Sequence, residues 1–183
     1  HTKKGRLWAL LAHMVMEAHG SGRIRAAIGR ASDFYGPGVT DAALGPMVWD
    51  ALLAGRAAAV LGNPDLPHTY SYIEDVGKGL ATLGTHPKAL GEIWHLPAAP
   101  AITTRQLLEL ACRQEGLSLR LRPVGRWTLR IGGLFMPVAR ETLEFLHQWE
   151  APFIMDDAKF RHAFGGEATP LEKGIAKTVA WYR

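Results

Sequence analysis

The residues with the most chemical potential fall in two short stretches and one isolated position: Asp33 and Tyr35; His68, Tyr70, Tyr72 and Asp75; and Cys112. Asp33 precedes Phe34-Tyr35-Gly36-Pro37-Gly38, so its carboxylate suits a turn or helix-cap acceptor, or a charged group in a pocket. Tyr35 can pack its ring under the Gly36-Pro37 turn or turn its hydroxyl to a ligand. His68 follows Pro67 and can hold a loop hydrogen bond or move a proton near neutral pH. Tyr70 and Tyr72 offer further hydroxyls to a small polar ligand, and Asp75 reads as the cap of the helix it begins. Cys112 sits among Leu107, Leu108, Leu110 and Ala111, the setting of a buried, inert thiol. As the sole cysteine it excludes a disulfide framework or a multi-cysteine metal site within one chain. His13 and Glu17 share a helix face, but two ligands without a third read as a solvated stripe, and no metal site is expected. His95, between Trp94 and Leu96, reads as an ordinary strand residue. Trp127, Phe135, Phe145 and Trp149 read as core or dimer-facing aromatics.

These groups need a framework, and the composition provides for one. Of 183 residues, 48% are hydrophobic and 21% charged, which suits one globular domain or a large piece of one. Twenty-one basic against 17 acidic residues leave +4, with no run of five like charges, so a nucleic-acid or membrane-surface partner is disfavoured. The apolar stretches fall well short of the ~18 residues a spanning helix needs, and no leader pattern is recognised, so a cytoplasmic protein is expected.

Residues 6–19 leave only Arg6, His13 and Glu17 as a polar stripe, and a helix so apolar needs cover on two sides. Gly20-Ser21-Gly22 stops it, and residues 24–28 read as a short buried strand, the rhythm of a parallel α/β sheet. The stretch 29–38 reads as a loop leaving the carboxyl end of that strand, where α/β proteins place ligands. Beyond it the patterns predict a helix over 42–54, a strand over 58–61, a turn over 62–65, a strand over 69–72, a helix over 74–82 and a strand over 92–96. Thr103 or Thr104 caps the helix carrying Cys112, and a strand over 117–123 follows. Helices over 126–134 and 138–149 hinge at Met136-Pro137, and a short helix covers 157–164. Thr169 as N-cap and Pro170 as first helical residue start the terminal helix. Because His1-Thr2-Lys3-Lys4 leads almost at once into a helix, the chain is expected to be the later part of a longer polypeptide.

Three segments together resemble the second half of an extended short-chain dehydrogenase/reductase, the group of NAD(P)-dependent epimerases and dehydratases. Arg30-Ala31-Ser32-Asp33-Phe34-Tyr35-Gly36-Pro37-Gly38 resembles the family's R-x-x-N-x-Y-G-P-G loop. His68-Thr69-Tyr70-Ser71-Tyr72-Ile73-Glu74-Asp75-Val76 is similar to its R-D-F-x-x-V-x-D-V segment. The ending is also similar: Asp157-Ala158-Lys159-Phe160, then Phe164-Gly165, Thr169-Pro170-Leu171-Glu172-Lys173-Gly174-Ile175 and Trp181-Tyr182. The order and spacing of the three are those of the family.

The resemblance implies an α/β fold in two parts. Residues 1–40 are the last part of a Rossmann-like doubly wound sheet, and residues 41–183 a smaller α/β substrate-binding region with segments at about 58–96 returning to the sheet. The N-terminal dinucleotide-binding half, with its G-x-x-G-x-x-G turn, is absent from the chain. NAD or NADP is implied for the intact parent, and tight binding of neither to this chain alone. The cofactor positions fall on Ala31 and Ser32, and the substrate positions on Asp33, Tyr35, His68 and Tyr70.

The family's catalytic Tyr-x-x-x-Lys falls on Gly5 and Ala9, which cannot do its work; a shifted register brings in Lys3 or Lys4, with the Tyr outside the chain. Asp33 stands where the family has a sugar-nucleotide-contacting Asn, and His68 where it has a diphosphate-clamping Arg. Both changes point to a small carbonyl or hydroxyl substrate, sugar-derived compounds included. The implied partners are that substrate, the missing half, and a second copy through the helix at 6–19. The alternatives are a catalytically silent dinucleotide-binding sensor or scaffold, an RNA-associated atypical member, or an unrelated small α/β binding module.

Overall fold

The computed structural model describes residues 2–183. Helix α1 (Lys3–Gly20) opens the chain, with the Thr2 hydroxyl accepting the Gly5 N–H at 3.0 Å as an N-cap. Strands β1 (Ile28–Arg30) and β2 (Asp33–Tyr35) follow, then α2 (Pro46–Leu53), β3 (Ala58–Leu61), β4 (Pro67–His68), β5 (Tyr70–Tyr72) and α3 (Ile73–Thr85). Next come β6 (Ile93–His95), β7 (Ile102–Thr103), α4 (Thr104–Glu115) and β8 (Leu121–Val124). Helices α5 (Arg126–Gly132), α6 (Pro137–Phe145), α7 (Ala158–Phe164) and α8 (Leu171–Tyr182) complete the fold, with 3-10 turns at Pro87–Ala89 and Leu146–Trp149. Among the described residues no helix is long and apolar enough to cross a membrane.

The ladders β1–β6, β2–β5 and β3–β8 are parallel, and β4–β7 is antiparallel. Helix α3 lies against β1 and β5, and α7 against β6. The main core lies between α2, α4, α8 and the β2, β3 and β5 strands, around Trp49, Tyr35, Tyr70, Leu107 and Ile175. Trp49 is fully buried and donates its indole N–H to the Leu44 carbonyl at 2.7 Å. A second core gathers Val76, Leu83, Trp94, Leu96 and Phe160, and a third, small one gathers Leu129, Ala139 and Leu146.

Several boundaries differ from the sequence reading for identifiable reasons. The first strand begins at Ile28 rather than 24, because the residues before it finish off α1. The Arg23 and Ile24 N–H groups both donate to the Ala18 carbonyl, and the Ala26 N–H donates to His19 Nδ1. The expected loop at 29–38 contains β2, which pairs with β5. The helix expected from 42 starts at Pro46, where Gly45 closes so tightly on Ala42 that an added Cβ would lie 2.9 Å from the Ala42 carbonyl oxygen. Strand β8 starts at Leu121 rather than 117, its four residues matching the four of β3.

Asp75 does not cap its own helix. Its carboxylate accepts the Thr169 N–H at 2.6 Å and the Thr169 hydroxyl at 2.8 Å, tying α3 to the start of α8. Thr169 is therefore spent on Asp75, and α8 begins one residue later than expected, after Pro170 and without a side-chain cap. Of the two candidate caps Thr103 is the one used, forming a reciprocal capping box with Gln106, while Thr104 is the first residue of α4. Cys112 is buried in α4, and burial pushes its thiol above the usual range, as an inert core thiol requires.

Candidate functional site

Parallel pairing of β2 with β5 sets Asp33 opposite Tyr70 and Tyr35 opposite Tyr72. His68 lies two residues before Tyr70, and alternation along an extended chain places it on the same face. Asp33 Oδ2 and His68 Nε2 meet at 2.6 Å, two residues 35 apart in sequence. His68 is only 2% exposed, whereas the Asp33 side chain keeps 21% of its surface open, so the pair faces outward through its carboxylate.

The imidazole is walled by rings. Trp149 stacks on it at 5.3 Å and 9°, Phe153 at 5.1 Å and 27°, and Tyr70 tilts against it at 4.8 Å. Backbone contacts hold these walls in place. The Asn63 N–H donates to the Trp149 carbonyl, the Thr69 N–H donates to the Phe153 carbonyl, and the Phe153 N–H donates to the Pro67 carbonyl, each at 2.9 Å. Gly62 has φ +58°, and a Cβ there would fall 2.5 Å from the Trp149 carbonyl oxygen, so only glycine fits. The Tyr70 hydroxyl bonds the Thr104 hydroxyl at 2.7 Å at the start of α4, and burial raises its pKa above the ordinary tyrosine range.

One row further along the β2–β5 ladder, Tyr35 and Tyr72 lie with ring centroids 5.4 Å apart. Neither hydroxyl has a hydrogen-bond partner, and burial raises both pKa values. Tyr35 packs under α8, where an added Cβ on Gly174 would lie 2.7 Å from its hydroxyl. The structure thus brings Asp33, His68 and Tyr70 together and seals Tyr35 beneath the terminal helix. Phe153 was not singled out from sequence, Thr104 was read only as a possible helix cap, and Trp149 was read as a core or dimer-facing ring. The alternating run before Tyr72 was the signal for a strand; nothing local marked which distant rings would close over it.

Ser32 spends both of its donors inside the protein. Its N–H donates to the Ser71 hydroxyl at 3.0 Å and its hydroxyl to the Thr69 carbonyl at 2.5 Å. Ala31 packs beside the Val76–Trp94 core. Neither residue has a free side-chain donor to offer a dinucleotide, and the chain has no glycine-rich strand-to-helix turn of the G-x-x-G-x-x-G kind to cradle a pyrophosphate. The residues present do not form a cofactor cradle by themselves.

Gly5 and Ala9 lie on one face of α1 and line an open groove with Thr2, Arg6 and His147. Lys4 bonds Glu141 at 2.6 Å and lies 5.0 Å over the Phe145 ring, holding the Glu141 carboxyl below the usual carboxylate range. His95 Nδ1 pairs with the Asp156 carbonyl at 2.7 Å. Among the described residues no three His, Cys, Asp or Glu side chains gather as a metal site.

No family model matches the chain, and no curated protein matches it in sequence. Solved structures do. The UDP-glucuronic acid 4-epimerase from Bacillus cereus, in complex with UDP-glucuronic acid and NAD, matches 93% of this chain and 49% of its own, with a TM-score of 0.71 at 15% identity. The chain has the fold of the C-terminal portion of a Rossmann-fold epimerase or dehydratase. RMD from Pseudomonas aeruginosa, complexed with NADPH, matches at TM-score 0.67 and 14% identity, over 93% of this chain and 52% of its own. The dTDP-glucose 4,6-dehydratase from Streptomyces venezuelae, with NAD and TYD bound, matches at 0.68 and 20% identity, over 92% and 47%. The chain spans about half the length of the structures it matches. By name one of the three is an epimerase and one a dehydratase, and each is described with NAD or NADPH bound.

Proposed function

We propose that this chain is the substrate-side portion of an NAD(P)-dependent epimerase/dehydratase-like oxidoreductase, whose substrate is a small hydroxyl or carbonyl compound rather than a nucleotide sugar. The observation that carries the substrate reading is the Asp33–His68 pair. With Nε2 committed to the carboxylate, the pair presents an acidic oxygen outward and no free cation, a poor host for a diphosphate. It is suited to a hydroxyl donor, which the exposed carboxylate can accept while the Trp149, Phe153 and Tyr70 rings fix the imidazole behind it. The rest of the polypeptide holds the nicotinamide cofactor, which supplies or accepts hydride. This chain's own residues bind and orient the substrate, and Asp33 and His68 hold a proton between them. In this reading residues 1–40 are the last part of the Rossmann-like domain and residues 41–183 the substrate-binding region, with segments at about 58–96 returning to the sheet.

The test uses the full polypeptide with NAD(P)H and a panel of small carbonyl compounds, following nicotinamide absorbance. Turnover with the panel and none with nucleotide sugars is expected. Asp33→Asn removes the outward charge and is expected to tighten binding of a nucleoside diphosphate roughly tenfold. Unchanged binding in that variant would sink the charge argument. A second reading has its own support, since Gly5 and Ala9 put no ionisable group at the positions the family uses for proton transfer. Cofactor binding with no spectral change across the whole panel would favour that silent, sensor-like protein.

A further inference from the structure

We draw no further inference here: the strongest candidate, the cleft between residues 98–100, α7 and the start of α8, holds a buried Asp157 carboxylate whose two oxygens are already taken by the Ala98 N–H and the Arg161 guanidinium, so nothing in it points to a ligand.

Discussion

Helices α1 and α8 have similar claims to burial on composition, and the fold treats them oppositely. Helix α8 seats Gly174, Ile175, Thr178 and Val179 in the main core against α4 and α2, with Tyr35 beneath Gly174 and Trp49 stacked on Tyr182 at 5.9 Å. Helix α1 has 18 residues, leaves Leu7, Trp8, Leu10, Leu11 and Met14 open, and buries none of its residues. An apolar run therefore specifies a helix without specifying its cover. In α8 the packing makes the helix. In α1 its length and the Thr2 cap hold the backbone, while the apolar face stays open.

That contrast can be broken most severely at the seat of α8. Trp49→Ala removes a fully buried indole beneath Tyr182 and is expected to cost about 3–5 kcal/mol, read as a fall in the urea midpoint. A loss within the range of a surface substitution would show that α8 is held elsewhere.

Alkali attacks the same seat by another route. Tyr35 and Tyr70 have pKa values raised by burial in the folded state, so the native protein keeps their protons where the unfolded chain releases them. Their contribution is complete below the unfolded tyrosine pKa of about 10 and falls away as pH rises above it. Denaturant midpoints should be level on the acid side of that value and drop beyond it, with phenolate absorbance appearing together with unfolding rather than before it.

The smallest effect should come from α1. Leu10→Ser changes an exposed side chain and is expected to shift stability by no more than about 0.5 kcal/mol in this chain. In the full polypeptide the same change should cost several times more if the remainder covers that face. Equal effects in both would leave α1 uncovered.

The sequence made the helices plain and the site only in part. Periodicity marked α1, α4 and α8, and a threonine cap at 103 or 104 was legible because a cap lies next to the helix it starts, whereas Gln106 as its reciprocal partner was not singled out. Strand β2 was hidden because Asp33-Phe34-Tyr35 is too short to show alternation and exists only by pairing with β5. Asp33, His68 and Tyr70 could each be picked out by type, yet their junction depends on a parallel register between segments 35 residues apart. The Asp75–Thr169 clasp spans 94 residues, and the local reading of both as caps lost to that distant partner. Long-range pairing of this kind leaves no local mark.

Gly62 touches none of the polar residues of the site, yet it has a hand in their shape. Because its bare Cα lies against the Trp149 backbone, any side chain there pushes on the ring that roofs His68. Position 62 thus fixes the wall around His68 from behind, and replacing its glycine would deform that wall without altering a polar group. A mutational library restricted to the polar residues would pass over it.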